Sequence, residues 1–417
     1  MPSTTSTMMK KIVRKGSLRL TLPTGASHTY GDGSESTIAI RVTDDEADHA
    51  IATDPALKLG EMYMEGRLIL EEGNIFDFLS LLARNGIRKA ATPRIIAHSL
   101  ARILAFQASS RLPINRNLKN VSHHYDLSAK LFDLFLDEDW QYSCAYFEPR
   151  EISLDEAQLA KKRHIAAKLQ LQPGNRVLEI GSGWGGLGMY LAESSGVDVT
   201  GITLSEEQLK VSRTRAEKRG LAEKVRFELT DYRDLKGQYD RIVSVGMFEH
   251  VGVGNFRNFF RKISEVLDKQ GVMVLHSIGR TKPNYATNPF IEKYIFPGGY
   301  IPSLAEVLPA VEKAGLLVKD IEILPMHYAW TLRAWRERFV AKRDQAVALY
   351  DENFFRMWEF YLAASEVAFR HDRLFIFQLQ LARHQDMVPF DRNYIARREA
   401  ELREFEAGRR GLERVEV

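Results

Sequence analysis

Short apolar runs recur through the second half of the chain and alternate with stretches of helical spacing. Seven of these runs have the length and composition of β-strands, at 176–180, 198–204, 225–230, 239–246, 272–278, 318–325 and 374–381. Strands that alternate with amphipathic helices are typical of a mostly parallel sheet with helices on both faces. The pattern therefore predicts an α/β domain of the Rossmann-like type with a seven-stranded, mostly parallel sheet.

The first part of the chain has a different pattern. Polarity alternates at 17–22 and 37–42 around a turn-rich segment, which predicts a β-hairpin. Helical spacing follows at 55–85 and again at 93–109. A strand pair followed by helices predicts a small N-terminal α+β accessory domain.

These patterns divide the chain into four predicted segments. Residues 1–17 are polar and basic and are predicted to be flexible, 18–112 form the accessory domain, and 113–390 form the α/β domain. Residues 391–417 carry seven Arg and seven acidic residues with little apolar content. Such a charged segment is predicted to be a solvated helix or a loose tail.

Composition narrows the classes of function. The chain has a single cysteine, which excludes intramolecular disulfides and thiolate-rich metal sites, and we predict no metal centre. A net charge of +3 without a basic, aromatic-rich stripe argues against nucleic-acid binding. No apolar run reaches the roughly 18 residues of a membrane-spanning helix, and the first residues lack the apolar core of a secretory signal. These features predict a cytoplasmic protein.

A glycine-rich loop follows the predicted strand 176–180. Its sequence, GSGWGG at 181–186, lets the backbone turn tightly and approach a ligand closely, although the motif alone also serves dinucleotides. A dinucleotide site would have an acidic residue at the end of the next strand, where this chain has GITL at 201–204. With Glu179 inside the preceding strand instead, the loop predicts a nucleoside ligand without a pyrophosphate, of which S-adenosylmethionine is the common one.

Two segments beyond the loop are further candidates, and each has two interpretations. Ser205 and Gln208 open the next predicted helix as a capping box, either with or without a contact to the cofactor. Asp231 and Tyr232 follow the third strand, where an adenine would lie, but a turn with a buried tyrosine has the same pattern. The residues alone leave both pairs of interpretations open.

Several segments in order along the chain resemble those of one family, the cyclopropane fatty acid synthases and their mycolic-acid relatives. They are HHYDL at 123–127, QYSCAYF at 141–147, YRDL at 232–235, GMFEHVG at 246–252, LHSIG at 275–279 and HYAWTL at 327–332. The resemblance spans about 110 to 385, and 18–110 looks like the accessory domain of longer members. It implies a class I methyltransferase fold and methyl transfer from S-adenosylmethionine to the cis double bond of an unsaturated acyl chain in a membrane phospholipid. The resulting carbocation then loses a proton to bound bicarbonate, which closes a cyclopropane ring.

The resemblance also implies roles for individual residues. The bicarbonate would be held by Cys144, Glu249, His276, Tyr328 and the backbone of Ile278. The residues implied for the cofactor site are Tyr142, Ser143, Glu179, Gly181, Gly183, Thr203, Leu204, Gln208, Asp231, Tyr232 and Val245. Taken singly, His276 also fits a core histidine, Tyr328 a helix-start anchor and Cys144 a small buried hydrophobe.

Two aromatic-rich segments, 289–300 and 353–361, are predicted to line a channel for the acyl chain or to pack as ordinary core. Because the substrate lies in a bilayer, we expect peripheral contact with the inner membrane surface. Lys10, Lys11, Arg14, Lys15 or the accessory domain are the candidate contacts, and that domain could also mediate a homodimer.

Three other functions fit parts of the sequence. A related fatty-acyl methyltransferase would make methyl-branched or methylene chains, or precursors of furan fatty acids. A methyltransferase for a soluble small molecule would use the accessory domain for dimerisation. A lipid-binding protein without catalysis would have no use for the glycine loop.

Overall fold

The computed structural model describes residues 3–86, 128–283 and 286–413. The strands are β1 (Ser17–Thr21), β2 (Ser27–Gly31), β3 (Thr37–Val42), β4 (Leu68–Glu72), β5 (Arg176–Ile180), β6 (Asp198–Thr203), β7 (Val225–Leu229), β8 (Tyr239–Val245), β9 (Leu267–Arg280), β10 (Leu317–Leu324) and β11 (Leu374–Ala382). The predicted helix at 93–109 and the HHYDL segment at 123–127 lie outside the described residues.

Helices connect and cover these strands. They are α1 (Thr4–Ile12), α2 (Asp45–Thr53), α3 (Pro55–Met64), α4 (Ile75–Arg84), α5 (Ala129–Asp133), α6 (Leu154–Lys168), α7 (Gly186–Ser195), α8 (Glu206–Lys218), α9 (Phe256–Val266), α10 (Pro289–Tyr294), α11 (Leu304–Lys313), α12 (His327–Ala341), α13 (Arg343–Leu349), α14 (Glu352–His371) and α15 (Asn393–Glu413). Short 3-10 helices lie at Tyr232–Asp234, Phe248–His250 and Val253–Asn255.

The chain forms two compact units. The described residues of the first unit come from Met1–Pro113, Asn284–Pro297 and Ala329–Leu374. Those of the second come from Ile114–Pro283, Gly298–Tyr328 and Phe375–Val417. Two segments from the second half of the chain therefore belong to the N-terminal unit. The predicted boundaries, 18–112 and 113–390, assigned both segments to the α/β domain.

The first unit contains a four-stranded sheet with the order β2-β1-β3-β4. The predicted strands 17–22 and 37–42 are both present, but they pair in parallel, with Ser17 opposite Thr37. The hairpin partner of β1 is β2, which pairs with it antiparallel from Ser27 to Gly31. The predicted hairpin was wrong because β2 is largely exposed and lacks the alternation of polarity that marks a half-buried strand.

The predicted helical stretch at 55–85 is also interrupted. Helix α3 ends at Met64, Gly66 takes a φ of +72°, and β4 then pairs antiparallel with β3. A left-handed residue such as this glycine turns the chain out of a helix. The apolar residues of β4 and α4 therefore belong to different elements.

The N-terminal residues are ordered rather than flexible as predicted. Ser3 caps α1, and Asp48 accepts hydrogen bonds from the Ser3 hydroxyl (2.6 Å) and from the backbone N–H groups of Thr4 (2.9 Å) and Thr5 (3.1 Å). The apolar residues of α1, among them Met9 and Ile12, are buried in the core of the first unit. A short amphipathic helix is thus fixed by one buried carboxylate and its apolar face.

The aromatic segments predicted for an acyl channel contribute to the core of this first unit. Phe290 of α10 and Phe360 of α14 are buried with their ring centroids 4.7 Å apart. A Cβ atom on Gly60 of α3 would lie 2.3 Å from Cδ2 of Phe290, so only glycine allows this approach. For these two rings the structure agrees with core packing.

The second unit contains the predicted seven-stranded sheet, with the order β10-β11-β9-β8-β5-β6-β7. The pairs β5–β6, β6–β7, β5–β8 and β8–β9 are parallel, and β10–β11 is antiparallel. The α/β prediction and all seven strands are confirmed. From β5 the chain adds β6 and β7 on one side of β5, and it then adds β8 on the other side. In sheets with this change of direction, ligands bind in the crevice at the carboxyl ends of the two strands, here β5 and β8.

In the described part of the charged C-terminal segment, Asn393–Glu413 forms α15, as the helix alternative predicted. Tyr394, Ile395 and Leu402 are buried. Arg163 of α6 forms an ion pair with Glu406 at 2.7 Å. The sparse apolar positions and a few buried ion pairs hold this helix on the second unit.

Candidate functional site

The glycine loop follows β5 at the carboxyl edge of the second unit's sheet. Gly181, Gly183 and Gly185 have φ values of +82°, +52° and +83°, and Gly185 precedes the first residue of α7. The backbone N–H groups of Gly181 and Ser182 both donate to the carbonyl of Ile202 on β6, each at 2.9 Å. The loop is therefore fixed to the neighbouring strand by its backbone.

Two glycines of this loop differ in what surrounds them. A Cβ atom on Gly181 would lie 2.7 Å from Cβ of Met247, so this position tolerates no side chain. Among the described residues, no heavy atom lies within 4 Å of a Cβ position on Gly183. The half-buried backbone at Gly183 therefore has room for a ligand, as a nucleoside site requires.

Glu179 lies beneath this loop with its carboxyl group buried. A Cβ atom on Gly188 of α7 would lie 2.7 Å from Oε2 of Glu179. This oxygen has no hydrogen-bond partner in the described part of the chain. Burial raises the pKa of Glu179 to about 8. The carboxyl group is thus held in its neutral form at pH 7.

The segment after β6 confirms the Ser205 half of the predicted capping box, whereas the Gln208 side chain contacts Thr203 and not the backbone of Ser205. The Ser205 hydroxyl accepts from the backbone N–H of Gln208 at 3.2 Å, and the Thr203 hydroxyl donates to Oε1 of Gln208 at 2.8 Å. Thr203 and Gln208 are buried and Leu204 is half-buried. A contact between these side chains and a cofactor remains a prediction.

The segment after β7 forms a tight turn. The Asp231 carboxylate accepts from the backbone N–H of Arg233 at 2.9 Å and forms an ion pair with its guanidinium at 2.7 Å. Tyr232 packs edge-on against Phe259, with ring centroids 5.2 Å apart, and burial followed by the Asp231 charge raises its pKa to about 12. The turn is observed with a half-buried tyrosine and not a buried one, and an adenine contact at this edge remains a prediction.

The QYSCAYF segment at 141–147 lies against α6. Nε2 of Gln158 donates to the carbonyls of Gln141 (3.1 Å) and Ser143 (2.9 Å). Nζ of Lys161 donates to the Ser143 hydroxyl at 2.8 Å. A Cβ on Gly246, directly after β8, would lie 3.8 Å from Cβ of Ser143, so this segment reaches the carboxyl end of β8.

Cys144 and Tyr142 lie in the same segment. Cys144 is buried and its thiol lies 3.2 Å from the carbonyl of Ala145, which agrees with the small-hydrophobe interpretation. The ring of Tyr142 is half-buried and lies edge-on to Phe132 at 5.1 Å.

Glu249 lies in the 3-10 turn after β8 and forms the first part of a buried polar centre. The backbone N–H of Ile278 on β9 donates to its Oε1 at 2.7 Å. Its Oε2 is buried and has no hydrogen-bond partner among residues 3–86, 128–283 and 286–413. Burial raises the pKa of this carboxyl group, so its protonated form is favoured.

His276 forms the second part of this centre. It is paired with Val245 of β8, and its Nδ1 lies 3.2 Å from Nε2 of Gln378 on β11. Burial, followed by nearby Lys161, lowers its pKa to about 3, so the ring is neutral. With Nε2 of Gln378 as the donor to Nδ1, the ring proton lies on Nε2 of His276, and this buried atom has no hydrogen-bond partner within the described ranges.

Buried polar atoms without protein partners are rare in folded proteins, and a water, an ion or a ligand can satisfy them. A protonated Glu249 Oε2 and the Nε2–H of His276 are both donors, and they suit the acceptor oxygens of a small anion such as bicarbonate. The structure thus brings Glu249 and Ile278 into contact, with His276 two residues before Ile278 on β9.

Tyr328 lies at the start of α12 and is half-buried. The preceding residue, His327, accepts at Nδ1 from the backbone N–H of Phe147 at 3.0 Å. This hydrogen bond joins the segment of Tyr328 to the segment of Cys144.

The sequence motifs did not identify Lys161. Its side chain is fully buried on α6, and burial lowers its pKa to about 8. A signal was present in the spacing of Gln158, Lys161, His164 and Lys168, which places four polar side chains on one side of a helix. From the sequence alone, such a row of polar residues predicts a solvent-exposed helix face.

The strand order and the glycine loop at its central strand define the class of this chain, which is that of the S-adenosylmethionine-dependent methyltransferases. The family model described as mycolic acid cyclopropane synthetase matches residues 113–379, and the chain belongs to this family. A second model, described as a domain of unknown function (DUF7884), matches residues 4–87.

Two curated relatives cover most of the chain. A cyclopropane-fatty-acyl-phospholipid synthase of Escherichia coli (strain K12) is 39% identical over 348 residues, or 82% of this chain and 87% of the relative. A probable fatty acid methyltransferase of Pseudomonas putida is 37% identical over 332 residues, or 76% of this chain and 80% of the relative.

Solved structures agree with this membership. The cyclopropane synthase MmaA2 from Mycobacterium tuberculosis is 33% identical with a TM-score of 0.61, covering 64% of this chain and 98% of its own. The mycolic acid cyclopropane synthase CmaA1, solved with S-adenosylhomocysteine, is 35% identical with the same TM-score of 0.61, covering 65% of this chain and 99% of its own.

Among helices in the described residues, none combines the length and apolar content that crossing a bilayer requires.

Proposed function

We propose that this methyltransferase is a cyclopropane-fatty-acyl-phospholipid synthase, which transfers a methylene group to the cis double bond of an unsaturated phospholipid acyl chain. The observation that carries the proposal is that two buried polar atoms, Oε2 of Glu249 and Nε2 of His276, have no hydrogen-bond partner among the described residues and belong to segments at the carboxyl end of β8. The E. coli relative with this activity in its name supports the choice of substrate.

The chain's own residues have to bind two groups and keep water away. S-adenosylmethionine supplies the methyl group, and bicarbonate supplies the base that accepts a proton from the alkylated chain. Open backbone at Gly183 and the ends of β5 and β6 provide the surface for the nucleoside. An alkene is a weak nucleophile and gives up no proton beforehand, so positioning and a late proton acceptor are what the site must provide.

Glu249 and His276 orient the base in this proposal. Burial raises the pKa of Glu249, and when this carboxyl is protonated it would donate from Oε2 while Oε1 remains fixed by the Ile278 backbone. His276 is neutral and donates from Nε2. Two preorganised donors in a buried site hold an anion without a further cost of reorganisation.

The substrate also implies a location. We propose that the protein is cytoplasmic and contacts the inner membrane surface peripherally. Lys10, Lys11, Arg14 and Lys15 are all exposed at the end of α1 and just after it. Basic residues near an anionic membrane contribute about 1 kcal/mol each to binding.

The test is incubation of the purified protein with S-adenosylmethionine labelled in its methyl group and vesicles of mixed unsaturated phospholipids. Gas chromatography with mass spectrometry, with a ring-opening derivatisation, identifies the labelled acyl chain. A labelled cyclopropane is the expected product, and vesicles without label would contradict the proposal.

A second candidate is a branching fatty-acyl methyltransferase. It is favoured by the name of the Pseudomonas putida relative and by that of a tuberculostearic acid methyltransferase of Mycobacterium tuberculosis, which is 40% identical over 280 residues. In the same assay this candidate gives a labelled methyl or methylene branch and no ring.

A further inference from the structure

One cluster of buried charged side chains has no role in the site described above. His164 of α6 is buried between two carboxylates, with its Nδ1 2.6 Å from Glu399 of α15 and its Nε2 2.6 Å from Glu322 of β10. A carboxylate only accepts hydrogen bonds, so an imidazole that satisfies both carries a proton on each nitrogen.

The surroundings of the cluster favour this charge distribution. Lys168, one turn further along α6, contacts Glu322 and lies 3.1 Å from Asp320. Although burial opposes it, the contacts with His164 and Lys168 hold the pKa of Glu322 well below its usual range. The carboxylates of β10 and α15 thus lie against His164 and Lys168 of α6, and Arg392 and Arg403 add positive charge beside Asp320 and Glu399.

The ring of His164 is also one end of an aromatic stack. Tyr146 lies parallel to it, with ring centroids 4.3 Å apart and an interplanar angle of 8°. On its other side Tyr146 stacks on His327, at 5.2 Å and 17°. A cationic ring over the face of a tyrosine is attracted by the ring's quadrupole, which adds to the packing of the stack.

This stack contains a residue from each of two segments that the site needs. Tyr146 lies two residues after Cys144, and its backbone N–H donates to the carbonyl of Ala157 at 3.0 Å. His327 immediately precedes Tyr328. Both segments therefore contact one aromatic stack that ends at the His164 ring.

We propose that Glu399 and His164 are positioning residues for the methyl-transfer centre, so that the C-terminal helix supports the active site through the stack. The helix lies beyond the matched family region, which ends at residue 379. The inference rests on the proposed function in one respect, since it takes the segments of Cys144 and Tyr328 to be part of the catalytic centre.

The test compares two substitutions on the same helix. Glu399→Gln removes the charge beside His164, and Glu406→Gln removes the charge beside the adjacent Arg163 and Tyr190, away from the stack. Both should lower the melting temperature to a similar extent. Only Glu399→Gln should lower kcat, by about tenfold, with KM for S-adenosylmethionine nearly unchanged, because small displacements of catalytic groups reduce rate strongly.

A second pair of variants tests the stack itself. Tyr146→Phe keeps an aromatic ring between His164 and His327 and should retain kcat, whereas Tyr146→Leu should lower it about tenfold. Equal kcat in these two variants, or equal kcat in Glu399→Gln and Glu406→Gln, would overturn the inference.

The readout is labelled methyl incorporated into any lipid, whatever the product. If the unsubstituted protein makes a branched chain, the proposed ring closure fails while the comparison of variants still decides the role of Glu399.

Discussion

Two regions meet at the carboxyl edge of the second unit's sheet, and they are built in different ways. The glycine loop between β5 and α7 holds its shape through backbone conformation, with positive φ angles and backbone bonds to Ile202. The centre around Glu249 and His276 consists of buried side chains from strands and turns that are distant in sequence. The glycine loop is formed by contiguous residues. The centre around Glu249 and His276 forms only when the strands of the sheet come together.

The largest expected effect comes from blocking the backbone region. Gly183→Val should abolish S-adenosylmethionine binding, because a side chain there requires strained backbone and occupies the open face of the loop. Isothermal titration with S-adenosylmethionine measures this.

Gly174→Val is the matched control. Gly174 also has a positive φ (+81°) and no described heavy atom within 4 Å of a Cβ position, but it lies in the turn before β5. Lost binding in both variants would indicate general strain and not a cofactor site at Gly183.

Substitutions in the centre around Glu249 and His276 should lower turnover and leave cofactor binding nearly unchanged. Glu249→Gln keeps the shape of the side chain but changes its hydrogen bonding, and we expect turnover to fall by a factor of about 100 or more, as when a preorganised contact is lost. Affinity for S-adenosylmethionine should be nearly intact. Glu265→Gln, at an exposed position on α9, is the control. Unchanged turnover in Glu249→Gln would remove this residue from the mechanism.

Lys161 connects the two regions, since it holds Ser143 in the segment that reaches the end of β8. Lys161→Met should lower turnover by about tenfold through misplacement of that segment. Ser143→Ala should have a similar effect, and the double variant should add little, because residues in contact are not additive. Additive losses in steady-state kinetics would show that Lys161 acts independently of Ser143.

The last effect is on folding stability and its pH dependence, not on turnover. Burial raises the pKa of Glu179 from 4.5 to about 8, so between these values the folded chain keeps a proton that the unfolded chain has lost. Stability from this group is present at low pH and is lost as pH rises through about 8. Glu179→Gln mimics the neutral form, and its free energy of unfolding relative to the unsubstituted protein should increase by roughly 2 to 4 kcal/mol from pH 5 to pH 8. Denaturant titration at several pH values checks this, and a pH-independent difference would contradict it.

Much of the fold follows from local pattern. The seven strands of the second unit were predicted because each is an apolar run bounded by helices, and the Ser205 cap because its residues are contiguous. The exchange of 284–297 and 329–374 into the first unit was not predictable, since the partners of Phe290 and Phe360 are set by long-range packing.

The site divides in the same way. Gly181 and Gly183 were predicted from the glycine-rich motif. Glu249, His276 and Ile278 were predicted from the resemblance to the cyclopropane synthase family. Lys161, His164 and Glu399 were missed, because a polar residue on a helix has the same sequence pattern whether it is buried or exposed. Only the structure shows which groups these residues contact.

The most direct test of the side-chain centre is a crystal structure of the protein with S-adenosylhomocysteine and bicarbonate. We expect the sulfur to face Glu249 and His276, with the anion bound between their Oε2 and Nε2 atoms. A sulfur directed away from these residues, with no anion beside them, would contradict the proposed chemistry.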